Sequence, residues 1–240
     1  MDAGQVSRRA RLGIAFRLCV FVLKPILTLT TKRTWTGVDQ LRTHSGIVVA
    51  ANHLSWVDPL IVSHILWNND RPPRFLAKDS LFDTPVVGWI LRNANQIPVF
   101  RGTHDAATAV GAAVAAARAG ECVVVYPEGT ITKDPNLWPG PAKSGAARIA
   151  LTADCPLIPM AQWGSQNIMA PYRKKLKLLP PKKIEIRFGA PVDLKDLRGL
   201  PITADVLEQA TDRLMAAIGD LLTDIRAEQV LDQAAPTEEK

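Results

Sequence analysis

Short apolar runs alternate along this chain with stretches whose apolar positions recur at helical spacing. The runs at residues 47–51, 74–77, 96–100, 122–126, 157–161 and 183–188 predict strands. Between them helices are expected at 59–68, 85–94, 105–119 and 143–153, and a last one at 203–227. The third is Ala-rich and ends at Gly120, a residue suited to the left-handed position after a helix. The last carries Val206, Leu207, Ala210, Leu214, Ile218, Leu221 and Leu222 at helical spacing. Strand–helix alternation of this kind predicts an α/β fold with a mainly parallel central sheet flanked by helices. At 240 residues the chain suits one such domain, expected over 35–227. A polar tail at 228–240 is expected to fray.

Residues 1–34 follow a different pattern and predict an N-terminal basic amphipathic helical segment. Arg8, Arg9, Arg11, Arg17, Lys24, Lys32 and Arg33 interleave with Leu12, Ile14, Phe16, Leu18, Phe21, Ile26 and Leu29. A helix crossing a bilayer takes roughly 20 mainly apolar residues. Arg17 and Lys24 leave six between them, so a span is not expected. A basic helix with a broad apolar face lies in the headgroup region of a membrane, and packing on the core is the alternative.

The formal charge of +6 and sequence pI of about 9.4 suit an anionic membrane surface or a phosphate-bearing substrate. Nucleic acid is not an expected partner, because zinc-finger spacing and RNA-binding aromatic signatures are missing. Cysteines at 19, 122 and 155 form no metal or disulfide pattern, which points to a reducing, cytosolic side. No metal site is expected.

Candidate chemistry centres on Asn52-His53-Leu54-Ser55-Trp56-Val57-Asp58-Pro59, which follows the apolar run 47–51. A neutral imidazole takes a proton from an alcohol near pH 7, and a carboxylate on its other nitrogen fixes the tautomer. No Gly-x-Ser-x-Gly elbow supplies a nucleophile, so the pair suggests direct attack by an acceptor hydroxyl on an activated carbonyl. His53, Arg101 and Glu128-Gly129-Thr130 each follow a strand-like run. In an open α/β sheet that position brings them to one crevice.

Further segments fall in order behind the first. They are Arg74-Phe75-Leu76-Ala77-Lys78 with Leu81-Phe82 and Pro85-x-x-Gly88, then Ile97-Pro98-Val99-Phe100-Arg101-Gly102, Val125-Tyr126-Pro127-Glu128-Gly129-Thr130, and Leu157-Ile158-Pro159-Met160. Over about residues 35 to 195 the chain resembles the glycerolipid acyltransferase family. The resemblance implies transfer of a long acyl chain from acyl-CoA, or from an acyl carrier protein, to the free hydroxyl of lysophosphatidate, giving phosphatidate. Glycerol 3-phosphate, or another lyso-lipid or glycolipid, is the alternative acceptor. No cofactor and no obligate protein partner are implied, and the expected location is the cytoplasmic face of the cell membrane, held peripherally.

On this resemblance His53 is the base and Asp58 its orienting carboxylate, although Asp58-Pro59 also reads as a helix cap followed by proline. Arg101 would hold the acceptor's phosphate, with Lys78 as a second candidate. Glu128 would orient Arg101 or meet a glycerol hydroxyl. The amide of Gly129 or Thr130 would donate to phosphate or to an oxyanion. One departure stands out: where the family commonly continues Glu-Gly-Thr with Arg-Ser, this chain reads Ile131-Thr132. Arg101, Lys78, Lys133 or Lys143 would then supply the missing charge. The basic residues Arg173, Lys174, Lys175, Lys177, Lys182 and Lys183 suit anionic lipid, coenzyme A phosphates or an acidic carrier protein.

Overall fold

The computed structural model describes residues 14–42, 45–100 and 106–234. Helix α1 (Ile14–Thr30) leads into β1 (Thr31–Thr36), and β2 (Ile47–Ala51), α2 (Asp58–Asn68), β3 (Pro73–Lys78), α3 (Pro85–Asn93) and β4 (Ile97–Val99) follow. The chain continues through α4 (Ala106–Arg118), β5 (Cys122–Val125), α5 (Gly145–Ala153), β6 (Leu157–Trp163), β7 (Lys182–Phe188) and α6 (Ala204–Ala234). Seven strands form one sheet in the order β1-β7-β6-β2-β5-β3-β4. All neighbours run parallel except β6 and β7, so the fold is the expected mainly parallel α/β sheet.

Two residue-by-residue alternations explain why the sheet is covered on both sides. Val48, Ala50, Val123, Val125 and Leu157 face α4, α5 and α6, meeting Ala113, Ala117, Ala146, Ala150, Leu214 and Ile218. Ile47, Val49, Ala51, Val124, Ile158 and Met160 face the other way, against Leu27 of α1 and Ile61, Val62 and Ile65 of α2. At the end of α4, Gly120 has φ +84, the left-handed geometry its position predicts.

Two elements differ from the sequence reading. Thr31–Thr36 is an edge strand paired with β7, yet Thr-Lys-Arg-Thr-Trp-Thr has no apolar run to mark it. Helix α6 continues through Ala234 rather than fraying from 228, because Ala227–Ala234 is built mostly of good helix formers and Glu228 pairs with Arg187 of β7. Residues 1–13, which carry Arg8, Arg9 and Arg11, lie outside the described residues.

Helix α1 packs on α2 and α3, and where α2 faces it His64 is buried edge-on against Trp35 with ring centroids 5.3 Å apart. Burial, with Arg33 and Lys24 nearby, lowers its pKa to about 4. Between pH 6.5 and 4 the unfolded chain therefore binds a proton that the native protein refuses, and stability falls as pH drops through that window. The expected loss is up to about 3 kcal/mol. Urea midpoints at pH 7 and pH 4.5 should separate widely for the parent and less for His64→Phe; equal separation removes His64 as the cause.

Candidate active site

The parallel pairing of β2 with β5 and β6 sets the ends of these strands side by side, and the predicted motifs sit just past them. His53 Nδ1 lies 2.8 Å from Asp58 Oδ2. As a carboxylate Asp58 only accepts, so Nδ1 carries the hydrogen and Nε2 keeps its lone pair. The imidazole stacks on Tyr126 with centroids 4.1 Å apart, and Tyr126 stacks in turn on Phe75. Its side chain keeps 13% exposure, whereas Asp58 is fully buried.

Asp58 does more than orient the ring. The same Oδ2 accepts the backbone N–H groups of Leu54 at 2.6 Å and Ser55 at 2.9 Å. It thus closes the turn that precedes α2. The capping role anticipated from Asp58-Pro59 runs backward, into residues 54 and 55. One oxygen serves both the imidazole and the backbone, while Oδ1 has no hydrogen-bond partner.

The main chain of His53 is gripped on both sides. Its N–H donates to Glu128 Oε1 at 3.1 Å, and its C=O accepts from Thr132 N–H at 2.8 Å. Glu128 Oε2 accepts from Gly140 N–H at 2.9 Å. Glu128 is buried, which raises its pKa, and its carboxylate turns inward to join the two loops rather than outward to an acceptor hydroxyl. Asn52 and Gln162 exchange three hydrogen bonds, tying the end of β2 to β6. Ser55 Oγ donates to the Met169 carbonyl at 2.6 Å.

Gly129 adopts φ +67, where only glycine is comfortable, and its N–H donates to the Tyr126 carbonyl at 2.9 Å. Of the two amides considered for binding an anion, Gly129's is thereby spent on the turn. Thr130 is exposed beside it. Lys78 ends β3 at the same end of the sheet and is exposed. Arg101 lies outside the described residues. Ile131 is 1% exposed and its carbonyl accepts from Tyr172 O–H, so the side chain standing where the family commonly carries arginine points into the core.

Sequence reasoning gave Tyr126 and Thr132 no role at His53. A tyrosine closing an apolar strand reads as core, and Thr132 acts through a main-chain bond that no side-chain pattern announces. Among the described residues, no group of His, Cys, Asp and Glu is arranged to hold a metal ion.

A family model described as Acyltransferase matches residues 32–163. The chain is 27% identical over 207 residues to a 1-acyl-sn-glycerol-3-phosphate acyltransferase of Bacillus subtilis, covering 86% of this chain and 96% of the relative. A protein of the same description from Streptococcus pneumoniae is 22% identical over 174 residues, 70% of this chain and 60% of its own length. The crystal structure of the 1-acyl-sn-glycerophosphate acyltransferase PlsC from Thermotoga maritima superposes with a TM-score of 0.63 at 22% identity, covering 84% of this chain and 80% of that one.

Proposed function

The chain belongs to the acyltransferase family and is an O-acyltransferase, and we propose that it converts lysophosphatidate to phosphatidate with an acyl thioester as donor. The observation that carries the mechanism is the His53 Nδ1–Asp58 Oδ2 contact. The one hydroxyl in the His53–Asp58 turn, on Ser55, is donated to Met169, and Cys122 and Cys155 are buried. His53 Nε2 then takes the proton from the acceptor hydroxyl as its oxygen attacks the thioester carbonyl. When the tetrahedral intermediate collapses, the C–S bond breaks and the departing thiolate takes the proton from the imidazolium, leaving an ester and a free thiol.

The names of the relatives support lysophosphatidate as acceptor. Glycerol 3-phosphate or another lyso-lipid is the second reading, favoured by the buried Ile131 in the acceptor motif. Purified protein given radiolabelled palmitoyl-CoA with lysophosphatidate or glycerol 3-phosphate tests this directly. Phosphatidate from the first supports the proposal; lysophosphatidate from the second alone transfers it to the other acceptor. Failure with both, reversed by an acyl carrier protein thioester, changes the donor.

A peripheral place on an anionic membrane is part of the same proposal. No helix among the described residues is long and apolar enough to cross a membrane. Helix α1 nevertheless bares Leu18, Phe21, Val22, Ile26 and Leu29 at helical spacing, and Val86, Val87 and Trp89 are exposed on α3, against which it packs. The basic segment before β7, with exposed Leu176 and Leu179, reaches the same end of the sheet as His53, since β7 runs antiparallel to β6. Replacing Phe21 and Leu29 together by Asp should weaken co-sedimentation with phosphatidylglycerol vesicles on the order of 10- to 100-fold. Unchanged partitioning would confine α1 to packing on the core.

A further inference from the structure

A phosphate-bearing acceptor calls for positive charge at its site, and position 131, where the family commonly carries arginine, does not provide it. Ile131 is held inward by the Tyr172 hydrogen bond to its carbonyl, with Thr132 N–H fixed to His53 C=O on its far side and Thr132 Oγ1 donating to the Trp138 carbonyl at 2.6 Å. A side chain at 131 turned outward would break this set. The charge must therefore come from another part of the chain.

The loop after Thr132 brings one back. Gly140 N–H reaches Glu128 Oε2, and Lys143 N–H donates to the Pro127 carbonyl at 2.9 Å, so residues 140–143 run alongside residues 127–129. The Lys143 side chain lies across Gly129: a Cβ built there would stand 3.4 Å from Lys143 Nζ, 3.5 Å from Cε and 3.6 Å from Cδ. The absent Cβ of Gly129 keeps open the space this ammonium flanks. Lys143 is exposed and makes no ion pair with a described residue, unlike Arg74, Arg187, Arg198 and Arg213, each of which is paired. Gly129 adjoins Glu128, which holds the His53 amide, so an anion over this turn sits at the same end of the sheet as the imidazole.

We infer that Lys143 binds the phosphate of the acceptor, doing from the far side of a loop what an arginine at position 131 would do from within the motif. This inference rests on the phosphate-bearing acceptor proposed above. A lysine is a mobile point charge with no planar fork, so it selects for the acceptor's charge and imposes little geometry on the phosphate.

The test compares kcat/KM for lysophosphatidate and for monoacylglycerol, its phosphate-free counterpart, in the parent, Lys143→Ala and Lys143→Arg. A charge-assisted hydrogen bond to phosphate predicts a loss of about 10- to 100-fold for lysophosphatidate in Lys143→Ala, carried by KM. The rate with monoacylglycerol and the KM for palmitoyl-CoA should hold, and Lys143→Arg should recover most of the loss. Lys143→Met, which keeps the aliphatic stem over Gly129, carries the same comparison if the alanine variant melts early. A parent that prefers lysophosphatidate and a variant that prefers it equally would overturn the role of Lys143 and leave the acceptor standing. A parent indifferent to the phosphate would overturn the acceptor reading and this inference with it.

Discussion

His53→Ala should abolish acyl transfer while leaving the protein folded. General-base catalysis contributes typically ~10²–10⁴-fold, so residual activity above about 1% of the parent would take that role away from His53. The structure gives reason to expect an intact fold. Among the described residues the imidazole makes one hydrogen bond, to Asp58, and one ring stack, on Tyr126. The bonds that hold the turn use main-chain atoms instead: His53 N–H on Glu128, His53 C=O on Thr132, and the Leu54 and Ser55 amides on Asp58. Alanine keeps all of them. Thermal melting and acyl transfer measured on the same preparation separate the two effects, and a large drop in Tm would mean that the ring is structural.

The sheet was legible because apolar runs and glycine stops are local signals. Residues 47–51 and 122–125 alternate between two buried faces, and a run apolar at every position announces such a strand. Edge strand β1 gave no such signal, since half of it faces solvent and its Thr-rich sequence gains strand structure from pairing with β7. At the site, the separation of His53 from Asp58 was readable because a turn entering a helix brings residues five apart together. The grip of Glu128 and Thr132 on the His53 backbone spans 75 and 79 positions and uses main-chain atoms, which have no sequence signature. The placement of Lys143 over Gly129 is of the same kind: it depends on where a loop returns. The sequence therefore offers four basic residues, Arg101, Lys78, Lys133 and Lys143, in place of an arginine at 131 without choosing among them.

Those same backbone bonds make Asp58 the more revealing position of the proposed His53–Asp58 pair. Asp58→Asn keeps the shape, and with its carbonyl oxygen at the Oδ2 site it can still accept from Leu54, Ser55 and His53 Nδ1. What it loses is the negative charge that stabilises the imidazolium. Its amide nitrogen then occupies the Oδ1 position, which is buried without a protein partner. If that nitrogen turns toward the ring instead, it donates to Nδ1 and forces the hydrogen onto Nε2, the nitrogen that must accept. Either arrangement weakens the base, and a fall of about 10²- to 10⁴-fold in kcat is expected, the scale set by loss of the carboxylate in a comparable His–Asp pair. Asp58→Ala should act differently, because it leaves two buried backbone amides and the imidazole without their acceptor. At about 1–3 kcal/mol for each group left unsatisfied, it should lower Tm as well as rate. Matched melting curves for Asn and parent, with activity lost only in Asn, would assign the carboxylate to catalysis. Equal destabilisation by Asn and Ala would make Asp58 chiefly the clasp of the turn.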